Sequence, residues 1–281
     1  MKEKHTVRNG VFADLESAVL DRVDLSITAE IKRRPWQHLI ETANKPALGK
    51  NSFYARFSNG ELGPTHNPYQ LQYAKVTHLP LVPQAVLRLD SERTPLSVAE
   101  ILLGARSLTD FPYAVKVAYV EIAFDLFGLY DELEHALVST VTQRRKKYHN
   151  KENGLRSLYL GSPLSERYAC LYEKPPAVAP GVVRLEIRLD SRALRRLHIV
   201  HPEELLTLRN VDFTRLVSFC RLRVPAAVKQ HWQQNAWCYL AERSTIDVFA
   251  KEFAEYYPRS EFLRPISVDR NIRHMQGRLI C

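Results

Sequence analysis

The chain has 281 residues, 45% of them hydrophobic and 25% charged, an ordinary globular mixture long enough for one large domain or two ordinary ones. Its formal net charge of +9 points to a polyanionic partner, nucleic acid ahead of an anionic membrane, with a merely basic soluble protein as the plain alternative. No apolar run approaches the ~20 residues of a membrane span, no signal-like apolar core stands near the start, and the four scattered cysteines match no zinc spacing, so a cytoplasmic protein that does not engage a membrane is expected.

In chain order, "VDLSITAEI" (23–31) alternates apolar and polar residues like a strand, and "RPWQHLIETANK" follows with helical character. "SFYARFS" and "YQLQYAKV" are strand candidates separated by the turn-rich "NGELGPTHNP". "QAVLRLD" is a further strand, and "TPLSVAEILLGAR" a helix with Pro95 expected in its first turn. "AVKVAYVEIAFDLFG" (114–128) is rich in β-branched and aromatic residues and predicts a strand. In "DELEHALVSTVTQRRKKYHN" (131–150), Leu133, Leu137, Val138 and Val141 recur at helical spacing, which predicts one helix ending in a basic run. "LRSLYLGSPLSERYACLYEK" reads as a hairpin turning at "GSPLS", and "VVRLEIRLD" as a strictly alternating strand before a helix capped by Asp190 or Ser191. From about 203 the chain reads as helical, with Trp232, Ala236, Tyr239 and Leu240 on one face and a second amphipathic stretch after Ser244-x-x-Asp247. The expected fold is α+β: a central antiparallel or mixed sheet with flanking helices in a core spanning 1–202, then a helical C-terminal portion over 203–281.

Period-two alternation sorts the polar residues of these strands onto faces. Glu121, Ala123 and Asp125 share one face, and Val120, Ile122 and Phe124 take the other. Two carboxylates flanking one small residue are explained by a solvated face, by a hard cation such as Mg²⁺ or Mn²⁺, or by ion pairing. Arg184, Glu186 and Arg188 likewise share a face, as a surface ion-pair ladder or as a metal ligand beside phosphate-holding arginines. Tyr168, Cys170, Tyr172 and Lys174 form a third such row. A tyrosine on a strand is usually packing, but a lysine two residues on can lower its pKa or hold a phosphate oxygen. Together the rows suit phosphodiester transfer: carboxylates for a divalent ion, a phenol oxygen to attack phosphorus, and cations to balance developing charge.

Three ordered blocks, "VEIAFDLFG", "LYLGSPLSERYACLYEK" and "VRLEIRLD", resemble those of rolling-circle replication initiators of small plasmids, the Rep_trans or replication initiation factor type, with related proteins in filamentous phages. The resemblance covers about 114–200 and is loose over 1–110. It implies that Tyr172 is the DNA-attacking nucleophile with Lys174 beside it, and that Glu121, Asp125 and Glu186 bind Mg²⁺ or Mn²⁺. Glu121 departs from the family pattern, where an aspartate is expected. The implied activity is metal-dependent nicking and joining of origin DNA through a covalent tyrosine–5′-phosphate intermediate. The implied partners are double-stranded and single-stranded origin DNA; a host helicase, a polymerase and a second copy of the chain are further candidates. Arg144, Arg145, Lys146 and Lys147, with Arg184 and Arg188, are the expected DNA-binding cations. The "HIVH" stretch, His198 to His201, has the wrong spacing for a His-hydrophobic-His metal motif, and both histidines are read as structural or surface groups. No P-loop is present. The alternative from another class is a non-catalytic DNA-binding regulator of replication or recombination.

Overall fold

The computed structural model describes residues 15–35, 37, 52–57, 69–74, 85–91, 95–139, 145–150, 153–162, 165–222, 263–265, 268, 269 and 272. Nine antiparallel strands form one sheet. They are β1 (Leu15–Ile27), β2 (Ser52–Phe57), β3 (Tyr69–Ala74), β4 (Ala85–Asp90), β5 (Val115–Phe127), β7 (Arg145–His149), β8 (Arg156–Leu160), β9 (Arg167–Glu173) and β10 (Val182–Asp190), in the order β2-β3-β4-β1-β5-β10-β9-β8-β7. A second sheet, β12-β11-β6, joins Leu263–Pro265, Val217–Leu222 and Leu137–Ser139. With helices at Val98–Leu108, Tyr130–Ala136 and Ser191–Arg196, this is an α+β fold. None of the described helices is long and apolar enough to cross a membrane.

The two longest described strands, β1 and β5, lie side by side at the centre, and β10 flanks β5 on the other side. Alternation decides what each face does. Val120, Ile122, Phe124 and Leu126 of β5 and Val183, Leu185, Ile187 and Leu189 of β10 point into one apolar cluster and are essentially inaccessible. Ile101 and Leu108, Leu133, and Leu194 from the three helices join that same cluster, and Phe213 meets Phe124 edge-on at 6.1 Å. Burying such side chains contributes roughly 1.5–3 kcal/mol each, so the register of the central strands is set by this face. The opposite face receives Tyr119, Glu121 and Asp125, and with them Arg184, Glu186 and Arg188.

Several sequence expectations shift. The helix expected to start near Pro95 starts at Val98, because the Ser97 side chain accepts from the Glu100 amide and caps it there. The single helix expected over 131–150 ends at Ala136; Leu137–Ser139 becomes strand β6 and Arg145–His149 becomes strand β7, the edge of the large sheet. The run after Ala136 is rich in β-branched residues, which fit a pleated strand better than a helix, and β11 and β8 offer ladders that β6 and β7 join. Asp190 does cap its helix, accepting from the Arg192 and Ala193 amides, but that helix stops at Arg196, two residues before His198 takes a left-handed φ of 59°. Past 203 the chain forms 3-10 turns and then β11, which pairs with β6. The helices expected around Trp232 and Ser244, and most of "RPWQHLIETANK", lie outside the described residues.

Candidate active site

Cross-strand register aligns the polar rows. Across β5 and β10, Asp125 faces Arg184, Ala123 faces Glu186 and Glu121 faces Arg188; across β10 and β9, Arg184 faces Tyr172, Glu186 faces Cys170 and Arg188 faces Tyr168. All of these side chains therefore share one face. Ala123, the small residue between Glu121 and Asp125 on this face, stands opposite Glu186.

The face is not a solvated one. Glu121, Asp125 and Glu186 retain 7%, 7% and 4% of their exposure. The Tyr172 hydroxyl donates to Glu186 Oε1 at 2.5 Å, and Arg188 Nη2 donates to Glu186 Oε2 at 2.6 Å. The same Arg188 nitrogen lies 3.2 Å from Glu121 Oε1, and the Tyr119 hydroxyl donates to Glu121 Oε2 at 2.9 Å. Asp125 is held differently. Arg184 grips both its oxygens, through Nε at 2.6 Å and Nη2 at 2.9 Å, and Lys174 Nζ adds a third contact at 2.9 Å.

One carboxylate of the face is absent from the sequence reading. Between Leu20 and Arg22 the β1–β5 register slips, so Asp21 is the extra residue of a bulge. A bulge re-aims a side chain, and here both Asp21 and Arg22 serve the polar face between the buried Leu20 and Val23. Asp21 Oδ1 accepts from Ser91 Oγ at 2.7 Å and from Arg184 Nη1 at 3.2 Å. Asp21, Glu121 and Glu186 each offer a carboxylate oxygen within 4.8 Å of the others. The signal lay in "LDRVDLS", where two acids bracket Arg22, but only a bulge brings Asp21 to this face.

Of the residues expected at the site, Tyr172, Glu186 and Glu121 come together. Asp125 and Lys174 sit beside them as partners in an ion-pair cluster, and Arg184 and Arg188 direct their guanidiniums at carboxylates. In β7, Lys146 lies over the Tyr148 ring, while Lys147 pairs with Glu134. Arg145 belongs to β7, and Arg144 lies outside the described residues. His201 Nδ1 lies 3.1 Å from the Val115 carbonyl oxygen, a structural tie.

The charges explain the titration of the cluster. Burial and the neighbouring Glu186 push the Glu121 carboxyl up to about 7. Glu186 falls below the ordinary carboxylate range: burial alone would raise it, but hydrogen bonds from protonated Glu121, from Tyr172 and from Arg188 outweigh that. Burial and the charge of Glu186 raise the Tyr172 phenol well above its usual value. The Cys170 thiol, beside Glu186, is pushed up to about 12 by burial and by that charge, which disqualifies it as a nucleophile. Asp125 is lowered, because Arg184 and Lys174 overcome the effect of its burial.

An all-oxygen donor set suits a hard divalent cation. One arginine shared between Glu121 and Glu186 leaves Glu121 holding a proton near neutrality, a local shortage of positive charge that a divalent cation fits. Arg188 Nε is buried without a hydrogen-bond partner among the described residues, so this guanidinium is not fully satisfied by its present contacts.

No protein-family model matches the chain, and no curated protein matches it. Among solved structures it is similar to one described as the rolling circle replication initiator protein from Geobacillus stearothermophilus, with 15% identity and a TM-score of 0.45 over 78% of this chain and 92% of that chain. A likeness of this size carries nothing about activity.

Proposed function

We propose that the chain is a DNA nicking and strand-joining protein that starts rolling-circle replication of a plasmid or phage replicon, with Tyr172 as nucleophile. The observation that carries this reading is the Tyr172 hydroxyl donating to Glu186 within the Asp21–Glu121–Glu186 cluster. The order of the three family-like blocks agrees with it.

In this reading, the Tyr172 oxygen attacks the scissile phosphorus. The bond from phosphorus to the 3′ oxygen breaks, the 5′ phosphate stays on Tyr172, and the released 3′-hydroxyl is left for a polymerase. Glu186, already hydrogen-bonded to the phenol, takes its proton, and the departing 3′ oxygen takes a proton from water to become the hydroxyl. Arg188 keeps Glu186 turned toward the phenol. Arg184 and Lys174 lock Asp125 and so place two cations within the same face for the charge that develops on the phosphate. Mg²⁺ or Mn²⁺ held by Asp21, Glu121 and Glu186 would polarise the scissile phosphate and offset the carboxylate charge that raises the phenol. Joining is the reverse attack of a 3′-hydroxyl on the phosphotyrosine.

The deciding experiment incubates the chain with supercoiled origin DNA and a matching oligonucleotide, then maps any covalent adduct. An adduct on Tyr172, lost in Tyr172→Phe while DNA binding persists, is the expected result. Full nicking by Tyr172→Phe would sink the assignment. Equal behaviour with divalent ion and with chelator, and no adduct, would favour the non-catalytic regulator.

A further inference from the structure

The polar face does not end at Tyr172. Register carries it across β9, β8 and β7 in two rows: Tyr148 faces Ser157 and Ser157 faces Tyr172, while Lys146 faces Tyr159 and Tyr159 faces Cys170. Tyr148 and Tyr159 meet edge-on with ring centres 5.1 Å apart, and Tyr159 stacks on Tyr168 at 5.8 Å with their planes 22° apart. Arg188, which grips Glu186, lies 5.2 Å over the Tyr168 ring. Three tyrosines thus run from the sheet edge to an arginine of the catalytic cluster. They line an open cleft of about 800 Å³, together with Lys146, Ser157 and Ser162.

Packing alone accounts for Tyr168, which is buried. It does not account for Tyr148, which keeps 46% of its surface exposed on the edge strand. Nor does packing need Lys146 poised 4.6 Å over that ring. An occupant matched to this cleft presents flat aromatic faces to the rings and negative charge to the lysine. Nucleotides do both, and only unpaired ones offer their base faces. Tyr148 and Tyr172 are separated by two strand spacings, about 10 Å, so an occupant here adjoins the proposed nucleophile.

We infer that this cleft is a single-stranded DNA subsite: unpaired bases next to the scissile phosphate stack on Tyr148 and Tyr159, and Lys146 holds a phosphate. The choice of DNA as occupant rests on the function proposed above. A protein that read only duplex would have no use for exposed ring faces beside its nucleophile; one that needs its cut strand melted and held has a direct use for them.

The test uses the full chain, chelator, and a short labelled single strand carrying 2-aminopurine. Tyr148 is exposed, so Tyr148→Ala is expected to fold, and a thermal melt checks it. That variant is expected to bind the single strand about tenfold more weakly and to lose base-stacking quenching, while Tyr148→Phe restores both. Because no phosphate contact is removed, the salt slope of its binding stays as in the wild type, whereas Lys146→Ala lowers that slope by about one. Unchanged single-strand binding by Tyr148→Ala, or an equal loss for the corresponding duplex, overturns the subsite. Nicking by the wild type alongside unchanged binding by Tyr148→Ala removes the subsite and leaves the nicking function standing. Tyr148-dependent binding without any nicking or adduct does the reverse.

Discussion

Two acidic centres lie four residues apart on β5 and behave in opposite ways. Asp125 meets a bidentate arginine and a lysine, so its charge is overcompensated and it stays ionised below the ordinary carboxylate range. Glu121 shares a single arginine with Glu186, and its carboxyl rises to about 7. Both are carboxylates on one strand and one face. What differs is the number of cations the neighbouring strands deliver to each centre. The overcompensated centre keeps positive charge on the face, and the undercompensated pair next to a phenol is a site where a proton or a cation can still enter.

Substitution at Glu186 has the strongest consequence. Glu186→Gln leaves the shape but removes the base facing Tyr172; nicking in a supercoiled-DNA assay is expected to fall by about 10²–10⁴, and a loss smaller than tenfold would separate Glu186 from the chemistry. Next is Arg184→Ala, which removes the bidentate partner of Asp125, whose side chain is only 10% exposed, and leaves Lys174 as its remaining cation. It is expected to cost about 1–3 kcal/mol in denaturant unfolding, less than the full cost of an unpaired buried charge, whereas Arg184→Ala paired with Asp125→Ala should recover part of that loss.

The third effect is pH-dependent and of opposite sign at the two centres. Glu121 binds its proton more tightly folded than unfolded, so its contribution is fully present below about 4.5 and is lost as pH rises to about 7. Without metal, stability should therefore decline over that window by on the order of 1–3 kcal/mol, and Glu121→Gln should flatten the decline. Asp125 works the other way: its stabilisation is present above the unfolded carboxylate range and disappears as pH falls through its lowered pKa. Mg²⁺ or Mn²⁺ should release protons on binding near neutrality, measurable by calorimetry in two buffers of different ionisation heat, and Asp21→Asn should abolish that release. The smallest effect is Lys174→Met. Arg184 still holds both Asp125 oxygens, so a change within about 1 kcal/mol is expected. A larger loss would mean that Lys174 carries more of this centre than its single contact suggests.

Much of this was legible in the chain. "VEIAFDLFG" and "VVRLEIRLD" alternate so strictly that the division between core and polar face follows from the pleat, and Glu121, Asp125 and Glu186 were placed on a shared face type by that rule. Leu133, Leu137, Val138 and Val141 misled because their spacing also fits a helix; β7 exists only because β8 offers it a ladder, and that partner lies across a turn. Asp21 escapes that rule because the legible alternation begins at Val23 and because a bulge breaks the period just before it.

Side-chain period, then, belonged to the sequence alone: it told which residues of each strand travel together, since successive side chains on a pleated strand must point to opposite faces. Which strands became neighbours, in what register, and where a bulge intruded were decided by tertiary packing. Those choices set how many cations reach each carboxylate, because charge pairing depends on distances of a few ångströms between residues up to 163 positions apart, as with Asp21 and Arg184.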